Sequence, residues 1–240
     1  MAPPPTLHPP TQAEYWRIFD SVRGDVEAAI KANYAYITIH HLAATDRKVL
    51  YKYQRFADFW TLNTYALQTT FFIAFGRIFD KRGDCFSIQK LVNFTIADPT
   101  LFSKAALRER KRSLSTVHGT DPQWLVDYVN QAWEPSTADL EPLRAELTPH
   151  YDKFKLIYRP IRHKYFAHRG TDSQQAIEAL FGQTLKTDVE EILRFLHTLL
   201  WAIREMAWNA RRPDLADVTD YNNYVRDLNS QIERFVMQLP

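Results

Sequence analysis

The chain of 240 residues is 45% hydrophobic and contains only six glycines, which favours a single all-α domain over a fold built on multi-stranded sheets. The formal net charge of +2 is too small to identify a nucleic-acid partner, because phosphate binding depends on locally clustered Lys and Arg. The single Cys85 excludes an internal disulfide and a zinc site built from several cysteines, so the composition indicates a reducing cytoplasm.

The first ten residues contain five prolines and are predicted to form an extended or disordered leader, with one domain over residues 11–240. This leader lacks the basic start and apolar run of a signal peptide. The most apolar later stretch, residues 65–79, is shorter than the roughly 20 residues that cross a bilayer. We therefore expect no membrane segment.

The first helix is predicted to begin after Thr11 and to extend to about Thr45. Thr11 and Glu14 have the spacing of a capping box, in which each side chain accepts a hydrogen bond from the other residue's backbone N–H.

A second long helix is predicted from Asp46 to Asp80, because apolar residues recur there at spacings of three, four and seven. The predicted buried face comprises Val49, Tyr53, Phe56, Trp60, Leu67, Phe71, Ala74 and Ile78. Asn63 lies on the same face, where it is either a hydrogen-bonded core residue or part of a site.

A helical insertion is predicted at about residues 81–135. Ser87 is a candidate cap for its first helix, and residues 104–112 form a basic helical segment. Asp121 and Pro122 are predicted to be the N-cap and first residue of another short helix.

A further helix is predicted from Ala138 to Arg169, interrupted or kinked at Pro149 and Pro160 and ended by Gly170. Its apolar face comprises Leu140, Leu143, Leu147, Tyr151, Phe154, Tyr158, Ile161 and Tyr165. The next position in this series is His168.

Thr187 and Glu190 have the spacing of a second capping box and are predicted to begin an amphipathic helix that ends near Arg211. A last helix is predicted at about residues 218–237. The long helices and short connections together predict an up-and-down bundle.

The densest cluster of cationic residues lies in residues 157–169, with the sequence IYRPIRHKYFAHR. Histidine can exchange a proton near neutral pH, and an arginine guanidinium can stabilise the negative charge of a phosphate transition state. On a regular α-helix Arg162 and His168 point roughly 120° apart. A kink after Pro160, or two such helices meeting at a dimer axis, would bring them toward one phosphate.

Structural interpretations of the same residues remain open. His168 suits a histidine near a helix C-terminus, where its protonated form complements the helix dipole. His163 leaves the apolar face, and the cations Arg162, Lys164 and Arg169 are also typical of a solvated helix face.

The segment from Arg162 to His168, RHKYFAH, resembles the signature of HEPN-domain proteins, in which an arginine precedes a histidine by four to six residues near the end of a core helix. The order of Arg77-Ile78-Phe79-Asp80, Ser87-Ile88 and IRHKYFAHR is similar to the abortive-infection AbiU branch of that superfamily. These pieces span most of residues 11–210.

The resemblance implies a helical bundle, commonly a homodimer, and in active members a metal-independent endoribonuclease without a cofactor. His168 would act as general acid or base at the ribose 2′-hydroxyl, and Arg162 would stabilise the phosphate transition state. His163 departs from the family pattern, because a small polar residue often follows the motif arginine. Candidate supporting polar residues are Asp80, Asn63 and His163, and candidate RNA-binding residues are Arg159, Lys164, Tyr165 and Arg169.

The competing interpretation is a helical interaction module without catalysis. Such a module would bind another protein, for example an antitoxin or a nucleotidyltransferase.

Overall fold

The structure is a computed structural model that describes residues 11–82, 85–114, 119–167 and 174–238. All regular elements in these ranges are helices, which confirms the predicted all-α class. The predicted leader, His168, Arg169 and the predicted helix stop at Gly170 lie outside the described residues.

The first helix, α1, spans Gln12–Thr45 as predicted. Thr11 Oγ1 accepts a hydrogen bond from the Glu14 backbone N–H at 3.3 Å, and the Glu14 carboxylate accepts one from the Thr11 N–H at 2.9 Å. The predicted capping box is confirmed, and it satisfies backbone donors that a helix start leaves free.

The single helix predicted from Asp46 to Asp80 is wrong, because the chain forms α2 at Arg47–Arg55 and α3 at Ala57–Ile78. Phe56 separates them with a non-helical ψ of 44°, and its side chain is exposed although it was predicted to be buried. The break lets the Tyr53 ring stack on Trp60 at 5.3 Å. The spacing of apolar residues did not reveal this break, since both helices continue a similar apolar pattern.

In the predicted insertion, α4 spans Ile88–Ala97, a short 3₁₀ helix spans Pro99–Phe102, and α5 and α6 span Lys104–Leu114 and Gln123–Gln131. The predicted Ser87 cap is confirmed by its hydrogen bond from the Lys90 N–H at 3.4 Å. Helix α4 contributes buried residues to the main core, whereas α5 and α6 share a small separate cluster.

The prediction that Asp121 caps α6 is wrong, because Pro122 occupies the N-cap position without a side-chain cap. The Asp121 carboxylate instead forms ion pairs at 3.0 Å with Arg108 and Arg112 of α5. The carboxylate therefore joins α6 to α5 through charge instead of capping its own helix.

The chain then forms α7 at Thr137–Leu140 and a composite helix at residues 142–167, which we call the motif helix. It consists of α8 (Pro142–Lys153), a π-helical segment (Phe154–Tyr158), the single turn α9 (Arg159–Ile161) and a second π-helical segment (Arg162–Ala167). The helix continues through Pro149, and the irregular turns lie on both sides of Pro160.

The π-helical turns explain why the prediction of a buried Tyr165 is wrong. Tyr165 is exposed, and Phe166 is the residue that packs against the core. The prediction assumed 3.6 residues per turn, whereas a π-helix bonds each N–H to the carbonyl five residues earlier and so holds more residues per turn.

Helices α10 (Gln174–Phe181), α11 (Lys186–Asn209) and α12 (Thr219–Gln238) complete the described chain. The predicted capping box at Thr187 is wrong, since the N-cap of α11 is Leu185, two residues earlier, and it makes no side-chain bond. A capping box that the sequence analysis missed is formed by Ser136 and Asp139 at the start of α7.

The main core is built from α1, α3, α4, α11 and the motif helix. No helix in the described ranges combines the length and apolar character that a bilayer crossing requires.

Candidate functional site

The motif helix packs antiparallel to the C-terminal half of α3 through a series of aromatic contacts. Phe154 stacks on Phe79 with ring centroids 4.7 Å apart, and Tyr158 meets the edge of Phe75 at 5.4 Å. Further along, Phe166 stacks on Phe72 at 4.6 Å. These contacts fix the position of Arg162, which lies between Tyr158 and Phe166 in the sequence.

Arg162 lies directly against the backbone of Gly76, a buried glycine inside α3. A Cβ atom at position 76 would overlap Nε and Cδ of Arg162 and would lie 2.9 Å from Cζ. Glycine inside a helix costs roughly 0.5–1 kcal/mol relative to alanine. The close approach of the guanidinium explains why glycine occupies this position.

The Arg162 side chain is half-buried, and its Nε is shielded from solvent with no hydrogen-bond partner among the described residues. Buried polar atoms in native proteins nearly always have a partner, and a bound ion or a catalytic role is one explanation for an exception. An anion placed at this guanidinium would accept the missing hydrogen bond.

Among the predicted supporting residues, Asp80 is the one whose charge interacts with that of Arg162. It lies two residues beyond the end of α3. Burial raises the pKa of Asp80, but hydrogen bonds from Arg82 and the charges of Arg82 and Arg162 outweigh it, so the pKa lies below its usual value. The Arg82 guanidinium lies 3.0 Å from the Asp80 carboxylate. The carboxylate is therefore ionised at neutral pH, paired directly with Arg82 and influenced by the charge of Arg162.

Asn63 lies far from this arrangement. It is separated from Gly76 by 13 residues of α3, or about 20 Å along the helix axis. Its side-chain amide donates to the Phe59 carbonyl oxygen at 2.8 Å, one turn earlier on the same helix. The structure thus brings Asp80 toward Arg162 and leaves Asn63 outside the site.

The remaining predicted residues of the motif helix lie on its surface. Arg159, His163, Lys164 and Tyr165 are exposed, and the Tyr165 ring packs edge-on against Phe181 at 5.5 Å. The exposed cations give the motif helix a positive outer face beside the half-buried Arg162.

The predicted catalytic His168 and the predicted RNA contact Arg169 lie outside the described residues. The 120° angle expected between Arg162 and His168 assumed a regular α-helix, whereas residues Arg162–Ala167 are π-helical. That calculation therefore does not apply to this helix.

Two residues of this arrangement were missed by the sequence analysis. Gly76 had a detectable signal, because a glycine within an apolar helix needs a reason such as a close approach. Arg82 also had a local signal, since it lies only two residues from Asp80 and an Asp side chain commonly accepts a hydrogen bond from the backbone N–H two residues on.

In a comparison with protein families, the family model HEPN_AbiU2, described as AbiU2, matches residues 13–235. Searches of curated proteins and of solved structures find no match for the chain.

Proposed function

This chain belongs to the HEPN AbiU2 family, and from that premise we propose that it is a metal-independent endoribonuclease of the abortive-infection or toxin type, acting in the cytoplasm. The match extends over nearly the whole length of the chain, so it includes α3, the motif helix and α11.

The observation that carries the proposal is the environment of Arg162. A half-buried guanidinium with an unpartnered Nε lies against a glycine in the interior of α3. An arginine held for stability alone would be paired, because burying an unsatisfied donor costs about 1–3 kcal/mol. The scissile phosphate of RNA is an anion that fits this guanidinium.

The proposed reaction uses two groups and no metal. An imidazole, assigned to His168, removes the proton from the ribose 2′-hydroxyl, and the resulting oxygen attacks the adjacent phosphorus. Arg162 stabilises the added negative charge of the pentavalent phosphorus. The bond to the 5′-oxygen then breaks, and that oxygen takes up a proton, which leaves a 2′,3′-cyclic phosphate and a 5′-hydroxyl.

The other predicted residues have supporting roles in this proposal. Asp80 pairs with Arg82 and adds a negative charge to the surroundings of Arg162. The exposed cations Arg159 and Lys164, with Arg169, contact neighbouring phosphates, and the exposed ring of Tyr165 stacks on a base.

We also propose that the active form is a homodimer. Phe59, Leu62 and Tyr65 are exposed at three-residue intervals on α3. The Tyr65 ring lies 6.3 Å from Phe166 of the motif helix, so this apolar surface continues to the segment that carries the motif. If an antitoxin or a nucleotidyltransferase binds the protein, the same surface is the proposed contact.

The test is cleavage of varied RNAs by the purified protein in excess EDTA. We expect the wild type to cleave, and Arg162→Ala and His168→Ala each to lower the rate by about 100-fold or more. Matched controls are Arg23→Ala and His41→Ala, which remove the same residue types from exposed positions on α1 and should leave the rate unchanged.

If the wild type leaves all RNAs intact while it binds a protein partner, the chain is an interaction module and the proposed activity is wrong. Circular dichroism of each variant would distinguish loss of a catalytic group from loss of the fold.

A further inference from the structure

A second positively charged region lies beyond the motif, in a groove between α4 and α8. Its volume is about 700 Å³, and Lys81 and Arg82, which follow α3, form part of its lining. The cations that line it are Lys81, Arg82, Lys90, Arg144 and Lys155. We call this region the basic groove.

The basic groove concentrates charge that the chain as a whole does not have. Five cations and one carboxylate, that of Asp152, line it, and two of the cations are ion-paired with carboxylates beside the groove, Arg82 with Asp80 and Arg144 with Glu141. The whole sequence has 30 Lys and Arg against 28 Asp and Glu. Clefts lined by one sign of charge attract the opposite charge strongly, so a polyanion is the expected ligand.

Three polar side chains that line the basic groove lack an ion pair or a hydrogen-bond partner within the described residues. Lys81 and Lys155 form no ion pair within the described ranges, and the Lys81 ammonium lies 3.6 Å above the ring of Tyr151. Gln89 also lines the groove, and both its side-chain amide atoms are buried without a hydrogen-bond partner in the described part of the chain.

The basic groove is connected to the motif by charge and by sequence. Arg82 lines the groove and forms an ion pair with Asp80, whose pKa is in turn lowered by Arg162. Lys155 precedes Arg162 by seven residues on the motif helix, which places the two within about two helical turns of each other. A single strand could therefore contact the groove and Arg162 together.

We propose that the basic groove binds phosphates of single-stranded RNA next to the cleavage position. This inference rests on the proposed function, since it extends the substrate contacts of the same site. The groove has lysines and arginines that suit phosphate contacts, which position a strand without reading its sequence.

The test measures binding of a 2′-O-methyl oligonucleotide, which cannot be cleaved because it lacks the attacking hydroxyl, by fluorescence anisotropy over a range of salt concentrations. The double variant Lys81→Gln/Lys155→Gln should bind on the order of tenfold more weakly at 0.1 M salt. Its salt dependence should fall by about 1.4 in logarithmic slope, because each phosphate contact with a single strand contributes about 0.7.

The matched control is Lys48→Gln/Arg55→Gln on α2, which removes two exposed positive charges from the other end of α3. The 22 residues of α3 place the two regions about 33 Å apart. This control should change the affinity by less than twofold.

The proposal is overturned if the groove variant binds within twofold of the wild type, or if the control variant weakens binding equally. It is also overturned if polyglutamate of the same charge binds with the same affinity and the same dependence on Lys81 and Lys155. Because this RNA cannot be cut, failure of the proposed catalysis would leave a groove-dependent binding result intact, and the reverse also holds.

Discussion

The two halves of α3 are equally apolar in sequence but have different environments. In the C-terminal half, Phe75 and Ile78 are fully buried in the main core, and Gly76 receives the Arg162 side chain. In the N-terminal half, Phe59 and Leu62 are 57% and 66% exposed. Apolar content therefore predicts that a helix forms, while the neighbouring elements decide whether its residues support a core, a site or an open surface.

The largest difference between the halves should appear in stability. Phe75→Ala removes a ring that contacts Phe71, Phe154 and Tyr158, and should lower the free energy of unfolding by about 3–5 kcal/mol. Phe59→Ala, at a position of the same helix that is exposed in the monomer, should change the free energy of unfolding of the monomer by less than about 0.5 kcal/mol. Urea denaturation of both variants measures this, and equal losses would show that the halves do not differ in packing.

A second prediction concerns Gly76 and separates stability from activity. Gly76→Ala should displace the flexible end of Arg162 and lower RNA cleavage by about 100-fold, because small misplacements of a catalytic group have large effects on rate. The fold should remain, since alanine favours the helix by roughly 0.5–1 kcal/mol and the displaced atoms belong to a mobile side chain.

The control for this prediction is Gly24→Ala in α1, where an added Cβ meets nothing within 4 Å. It should stabilise the protein by up to about 1 kcal/mol and leave cleavage unchanged. Full activity in Gly76→Ala would mean that the position of Arg162 against α3 is not required.

The smallest predicted effect concerns the exposed apolar residues in the N-terminal half of α3. Leu62→Glu should raise the dimer dissociation constant about tenfold, because a charge would replace an apolar side chain in the proposed interface. Leu114→Glu, at a similarly exposed leucine on α5, should have no effect. Sedimentation equilibrium measures both, and a monomeric wild type would contradict the proposed homodimer.

Local sequence signals predicted the helix starts where the interacting atoms are close in the chain. The Thr11 and Glu14 box and the Ser87 cap depend on contacts three residues apart, and both form as predicted. Thr187 has the same local chemistry as Thr11 but does not cap, since α11 begins at Lys186. The break at Phe56 was missed because the spacing of apolar residues does not show where a helix is interrupted.

At the candidate site, sequence and resemblance selected Arg162 and Asp80, and the structure brings their charges together. The role of Gly76 became apparent only when the motif helix was packed against α3, because residues 76 and 162 are far apart in the sequence. The prediction for His168 stays a prediction, as that residue lies outside the described ranges.

By itself, the sequence determined that this protein is helical, where many of its helices begin, and which segment concentrates cationic residues, because these properties depend on neighbours within one or two turns. Only the tertiary structure decided that α3 buries Phe75 and Ile78 but exposes Phe59 and Leu62, and that Arg162 is half-buried against a glycine. It also decided that five scattered cations share one groove. Each of these features depends on contacts between distant parts of the chain, which local periodicity does not encode.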